Sequence, residues 1–526
     1  MSIVPSLHTP HPRDCIRIVF GALAVMCHLA LPGCAPDAVP VKPIDSGASA
    51  APGGPFPAPD DHPAVHGPLG PATSFSEAQL FEPCAWLDGG PEDEDQHNLV
   101  VPYSGYLLMP WAPEDGAGGL SLFDVSDPCS PTKHGEGFTE DIRETHSLGF
   151  VHLGGDHPHA GDYTVTNGVL GVVFWDVSDP TAPEAIHYMR LPDVFYPDSY
   201  ARVVLSTFWQ YPWLYVAAAD NGVFVVDASN PYEPSLVGEY RFDPVLRAGG
   251  VWALGNYLVV GSAEQTKTAI LDITVPYEPQ PVPGGIFEHL DDDGHAVESY
   301  HANVTGNWIF QARKENGGGF LLYDWTNPMS VDYVGQHKTP DGNSGYVFYD
   351  EGFVFVGESE MGRVFDMTDP TNISVVGTAV IQGDIDTVTP FGNVAIFSSD
   401  DLAIPGQASG VIPWSADPDT TGPAVLRIEP ANGATDVPTS TRIGISFNEM
   451  VEPVSVFAGS VRVSTREGTP VAGWHSVQEG IVSFTPAAPL PTGTEIRVVV
   501  PGGGVMDANG NRTASDFEAT FTTLGG

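Results

Sequence analysis

The chain has 526 residues, of which 42% are hydrophobic, with 59 glycines and 50 prolines. That length allows two or three domains with sizeable cores, and the Gly and Pro content, with few long amphipathic stretches, argues against a helical protein and for strands joined by turns. A net charge of −46 with only 20 Lys plus Arg repels nucleic acid and anionic lipid, so neither is an expected partner, and the acidity reads as a solvated surface.

In chain order, Arg13 and Arg17 precede the apolar run "IVFGALAVMCHLAL" at 18–31, too short to span a bilayer, and "LPGC" follows at 31–34. Residues 1–33 therefore read as an export signal. The last four residues resemble a bacterial lipobox, departing from its pattern at Pro32. The resemblance implies cleavage before Cys34, lipid on that cysteine, and, with Ala35 next, sorting to an outer membrane. Residues 34–73 are dominated by Pro, Ala, Gly and Asp and are expected to form an extended tether. Cys15 and Cys27 leave with the signal, so Cys84 and Cys129 remain as an even pair in an oxidising compartment.

A repeat follows. "GGLSLFDVSDPCSP" (118–131) returns as "GVVFWDVSDPTAP" (171–183), "NGVFVVDASNPYEP" (221–234), "KTAILDITVPYEP" (267–279), "GGFLLYDWTNPMSV" (318–331) and "MGRVFDMTDPTNI" (361–373), with a degenerate copy "SGVIPWSADPDTT" at 409–421. Each unit carries two short apolar runs before the motif and one after it. Four short strands per repeat of roughly 40–50 residues mark a β-propeller blade. The third strand is apolar at almost every position, as a strand packed on both faces must be. The repeated Asp and the Asp-Pro or Asn-Pro after it read as turn chemistry, not as catalytic carboxylates. The motif resembles that of LVIVD-repeat proteins over residues 75–420, which implies a propeller but brings no activity.

The expected fold is all-β: a seven-bladed β-propeller at 74–420 followed by an Ig-like β-sandwich at 422–526. The seventh copy lacks a fourth strand, and "SFSEAQLFEPCAWL" (74–87) resembles one, so this early segment is expected to close the ring. Cys84 on that strand would then meet Cys129 in the turn of the adjacent first blade as a disulfide. In the last hundred residues, "TRIGISFNE" and "EATFTT" alternate as half-buried strands. With "IEPANGATDVP" and "VMDANGNRTASDFEATFTT", this stretch resembles the bacterial Ig-like domain of S-layer proteins, which implies a β-sandwich. "DANGN" at 507–511 lacks the further ligands of an EF-hand loop and reads as a turn.

No nucleophile, zinc-protease or phosphate-loop motif is present. The remaining constellation comes from aligning the starts of the innermost strands, which crowd one mouth of a propeller channel. His97, His146 and His301 fall at similar height, with Asp95, Glu144, Glu298, Asp341 and Asp386 nearby, and with Arg202, Arg247, Tyr200 and Tyr300. Imidazoles and carboxylates converging there could hold a divalent metal; the simpler reading is a polar, water-filled channel. "GDHPHAGD" (155–162) and "HLDDDGH" (289–295) read as surface loops, and the aromatics of "STFWQYPWLY" (206–215) as blade-packing core more than a sugar platform. The functional expectation is an exported, lipid-anchored binding or interaction scaffold with a protein or glycan partner. The alternatives are a propeller hydrolase or oxidoreductase using the channel mouth, and a purely structural cell-surface protein.

Overall fold

The computed structural model describes residues 65–89, 99–113, 116–154, 157–196, 201–314, 317–340, 342–399 and 403–526. Strands between Val101 and Pro413 run as consecutive antiparallel meanders of four strands, the last meander contributing three. One of them, Ser206–Gln210, Trp213–Ala217, Val223–Asp227 and Ser235–Tyr240, is representative. Its third strand buries Val223, Phe224, Val225 and Val226, whereas its fourth is largely exposed. The first strands of neighbouring sheets pack side by side: Ser299–Thr305 lies against Ser344–Asp350, which lies against Ile385–Phe391. Sheets arranged about an axis lined by their first strands make a β-propeller.

The repeated motif is turn chemistry, as its residue types imply. Asp124, Asp176, Asp227, Asp272, Asp324 and Asp366 each accept, through Oδ1, the backbone N–H two residues on, at 2.7–3.0 Å. The residue before the proline does the same one turn later: Asp127, Asp179, Asn230, Asn327 and Asp369 cap Cys129, Thr181, Tyr232, Met329 and Thr371. These side chains are occupied in holding the reversal between third and fourth strands. A feature that the sequence pattern did not announce follows them: the third-to-fourth strand register slips at the same place in successive sheets, for example at Leu122/Phe123, Phe174/Trp175 and Val225/Val226. Such bulges add local twist to the outer strand.

The strand Ala85–Leu87 pairs antiparallel with Ser409–Pro413 and takes the outermost place in the last sheet, Ala85 opposite Val411 and Leu87 opposite Ser409. Cys84, just ahead of it, is disulfide-bonded to Cys129 in the turn of the first sheet, with a Cα–Cα distance of 5.0 Å. The early segment thus closes the last sheet and is stapled to the first.

Residues 425–523 form the Ig-like sandwich. One sheet contains Val425–Glu429, Ile443–Phe447, Ile481–Pro486 and Gly473–Gln478, and the other contains Arg462–Thr465, Glu495–Val500 and Phe517–Thr522. Ile445, Phe447, Val482, Phe484, Ile496 and Val498 fill the space between them. Ile443–Phe447 is buried at every position, not half-buried as its alternation suggests. The cause is the propeller, which covers the other face. The position of a Cβ on Gly444 would fall 2.3 Å from the Gly255 backbone nitrogen, so only glycine allows this approach. Ser446 Oγ, on the same face, accepts from Gly306 N at 2.8 Å.

That contact is one of a set. Hairpin turns joining first and second strands in several sheets meet the sandwich. Glu452 accepts from Ser104 N at 2.6 Å and Gly105 N at 3.0 Å, Asn256 Nδ2 donates to Thr441 Oγ1 at 3.0 Å, and Glu351 N donates to Asn448 O at 2.9 Å. The junction also includes backbone pairing. Gly473–Gln478 runs antiparallel to Gly149–Leu153, the first strand of the second sheet, matching Ser476 to Val151 and Gln478 to Gly149. A single eight-stranded sheet therefore passes from the propeller into the sandwich.

Candidate functional site

First strands start at the rim away from the sandwich and end in the turns that meet it. Of the residues expected at the starting rim, His97 lies outside the described residues, as do Cys34, Asp95, Tyr200 and Asp341. His146 and His301 are described, 3% and 4% exposed. Both contact one aromatic ring: His301 stacks on Tyr346 at 3.9 Å between centroids, and His146 meets Tyr346 edge-on at 5.3 Å. Tyr300 stands 6.2 Å from His146, with Lys314 Nζ 4.5 Å above its ring. Tyr300, His301, Tyr346 and Asp386 all fall where the first-to-second strand register slips, between Ser299 and Ala302, Ser344 and Val347, and Ile385 and Thr387. The bulges turn these side chains toward one another.

Glu144 pairs through one carboxylate oxygen with His146 Nε2 and through the other with Arg143 at 3.0 Å. Arg143 also donates to Val204 O at 3.0 Å. All three side chains are at most 3% exposed. Burial lowers the His301 pKa well below the usual histidine value, and nearby His146 lowers it further, so the ring is neutral. Arg247 stands apart, donating to Asp220 at 2.9 Å, and Arg202 is exposed over the Phe195 ring at 5.2 Å. Among the described residues, the sets of three or more side chains whose metal-ligating atoms lie within 4.8 Å of one another are Asp291/Asp293/His295 and Asp419/Glu449/Asp507. Neither includes a channel histidine. In the first set, Asp291 Oδ1 accepts from Asp293 N and His295 N, and the His295 side chain is 78% exposed, as a surface loop requires. His157 and His159 pack among Tyr211 and Tyr232. Phe208, Trp209, Tyr211 and Tyr215 are buried core.

The channel is filled from the sandwich side too, which no local sequence signal indicated. The hairpin between Gly473–Gln478 and Ile481–Pro486 enters along the first strands. Gln478 Nε2 donates to Thr207 O at 2.8 Å and its Oε1 accepts from Trp209 N at 3.3 Å, so one side-chain amide pairs with the neighbouring sheet's inner edge. Glu479, at the tip with φ of 54°, accepts from Asn303 Nδ2 at 3.4 Å. Beside it Trp252 meets His301 edge-on at 5.2 Å. Glu479, Trp252, His301, Tyr346, His146 and Glu144 make one continuous column.

Burial raises the Glu479 pKa to about 8, opposed by the adjacent indole, and raises that of Glu452 to about 7 against three backbone N–H donors. In the fold these groups hold protons that the unfolded chain releases near the ordinary glutamate value. Stability should therefore fall as pH rises from there to about 8. His289 and His475, lowered by burial to about 3 and about 4, have the opposite sign and remove stability as pH drops below the usual histidine value. Glu479→Gln is expected to flatten the upper slope and raise the urea midpoint at pH 8. A midpoint that falls equally with pH in both proteins would place the cause elsewhere.

Residues 419–523 match the family model described as a bacterial Ig-like domain, and residues 212–241 match that of the LVIVD repeat. No curated protein matches the chain. Among solved structures, the chain is similar to the WD40 domain of Neurospora crassa Pan2 at 12% identity, covering 62% of this chain and 95% of that one with a TM-score of 0.42. It is also similar to the Swd1 beta-propeller domain of Myceliophteria thermophila at 9% identity, covering 60% and 95% with a TM-score of 0.41. The computationally designed Ika8 protein aligns at 11% identity, 64% and 99% coverage and a TM-score of 0.41. The sheets described above and the two family matches together give an all-β chain in which a propeller carrying an LVIVD repeat is joined to a bacterial Ig-like domain.

Proposed function

We propose that the protein is an exported, lipid-anchored binding scaffold, in which a seven-bladed propeller at 74–420 is stoppered at one mouth by the Ig-like domain at 422–526. Cys34 carries the lipid, and residues 34–73 hold the folded part away from the membrane. The observation carrying this reading is the filled channel. His146 and His301 are packed at 3% and 4% exposure, which suits a rigid frame better than an open catalytic funnel. The sandwich covers the inner hairpin turns, so the opposite rim is the face left for a partner. Its loops expose Phe195 (50%), Val245 (55%), Leu290 (39%) and Ile404 (40%) on an acidic surface, a combination suited to a protein partner more than to a glycan.

Two experiments test it. The full chain, expressed in a lipoprotein-processing bacterium fed an alkynyl fatty acid, should take up label that Cys34→Ala abolishes. Proximity labelling from the anchored protein should mark neighbours that a Phe195→Glu/Val245→Glu variant fails to mark. Unlabelled wild-type chain removes the anchor, and an identical neighbour set for the variant removes the rim.

A further inference from the structure

The second metal-capable set lies where propeller, linker and sandwich meet. Asp419 belongs to the connecting segment, Glu449 follows Ile443–Phe447, and Asp507 opens the 507–511 turn. Their ligating oxygens lie within 4.8 Å of one another. Asp350 and Glu351, in the hairpin turn of Ser344–Asp350 and Phe353–Glu358, add two more carboxyls whose charges act on Glu449. The surroundings hold the group in place without neutralising it. Asp507 Oδ1 accepts from Asn509 N and Asn511 N, both at 2.8 Å, and Asn511 Nδ2 reaches both Asp507 Oδ2 at 2.8 Å and Asp419 Oδ2 at 3.2 Å. Thr421 Oγ1 faces Asp419 Oδ1 and Glu351 Oε1 together, although one hydroxyl has a single proton to give.

An independent observation points to a ligand. Glu449 is only 6% exposed, and its Oε1 is buried with no hydrogen-bond partner. A buried carboxylate oxygen without a donor is costly unless a cation or a proton meets it. The charges acting most strongly on Glu449 are those of Asp350, Asp507, Glu351 and Asp419, all carboxylates.

The geometry points to a Ca²⁺ site formed by Asp419, Glu449 and Asp507, with Asp350 and Glu351 in its outer field, that ties the sandwich to the propeller. Oxygen is the sole donor type, which selects a hard cation over zinc or copper. The several carboxylates suit the larger coordination number of Ca²⁺ over Mg²⁺, which keeps its waters. Read this way, "DANGN" is a turn that presents a ligand. The site is a structural clasp and is independent of the partner-binding rim.

The test uses the full-length protein, stripped with EGTA and dialysed. Titration with CaCl₂ in a calorimeter should show stoichiometric binding, millimolar Ca²⁺ should raise Tm by several degrees, and the same MgCl₂ should do much less. Tb³⁺ should bind in competition with Ca²⁺ and luminesce through Tyr349, which lines the same cleft as Glu449. Glu449→Gln keeps the volume and removes one charge, so the stripped variant should be folded by circular dichroism and at least as stable as the stripped wild type. It should lose Ca²⁺ affinity by roughly tenfold or more, as should Asp507→Asn, since affinity follows ligand charge. Asp293→Asn, in the exposed acidic loop, should bind as wild type does. The site is refuted by absence of heat and Tm shift in the wild type, by unchanged affinity in Glu449→Gln, or by loss of binding in Asp293→Asn.

Discussion

Replacing Arg442 with alanine is expected to lower the free energy of unfolding by about 3 kcal/mol, among the largest effects of any single change at the domain junction. The side chain is 2% exposed and sits between the sandwich and two propeller sheets. Its Nε donates to Gln210 Oε1 and one terminal nitrogen donates to Ile273 O. Gln210 in turn donates to Gly255 O at 2.9 Å, in the turn that Gly444 packs against. Alanine would strand two buried acceptors and leave a guanidinium-sized void beside that turn. The measurement is a urea titration followed by tryptophan fluorescence and far-UV circular dichroism. Wild type should unfold with coincident probes, because one sheet runs through both domains. Arg442→Ala should unfold earlier, with the probes separating as the sandwich lets go first. Arg462→Ala, whose exposed side chain reaches only Gly459 O, should move the midpoint by less than about 0.5 kcal/mol. Equal, small effects for both arginines would mean that the junction is held by backbone pairing alone.

Loss of the disulfide is the second large effect. Cys84 and Cys129 are 45 residues apart in sequence, and cross-linking a loop of that order restricts the unfolded chain by about 2–4 kcal/mol. The bond also anchors a strand of only three residues, Ala85–Leu87, whose pairing with Ser409–Pro413 completes the last sheet. Cys129→Ser, or reduction of the wild type, should lower the urea midpoint accordingly and make Ala85–Leu87 the first amides to exchange with deuterium. If the midpoint is unchanged, the closing strand is held by its side chains, with Phe75 and Leu87 buried against the neighbouring sheets.

What the sequence disclosed was whatever a local pattern can encode. The Asx turns at Asp124 through Asp366, the all-buried third strands and the outer strand at Ala85–Leu87 follow from repeated spacing, because each copy must satisfy the same backbone and bury the same faces. The cysteine pair followed from that closure. The histidines illustrate the limit. Alignment brought His146 and His301 to one height, but it could not say that both would pack on Tyr346, since that ring's place depends on a bulge in its own strand. The docking of the sandwich was invisible for a related reason. Gly149–Leu153 and Gly473–Gln478 look like ordinary strands, and nothing in either composition names the other as partner. The Asp419, Glu449 and Asp507 cluster is likewise assembled from a linker, a strand end and a turn. Their separate contexts are unremarkable, and only tertiary assembly buries them together.

The closing strand has a consequence for the order of events during folding. Ala85–Leu87 is made before the rest of the propeller, yet its partner strand, Ser409–Pro413, is the last that the propeller contributes. Until then the early segment has nothing to pair with. The innermost edge at Gly149–Leu153 waits longer still, for Gly473–Gln478. Contacts between such distant parts of a chain raise the entropic barrier and slow folding. Intermediate sheets can form as they emerge, but ring closure and capping must come after nearly the whole chain is present. A chain truncated before Ser409 would keep its middle sheets and leave the first and last edges open to pairing between copies.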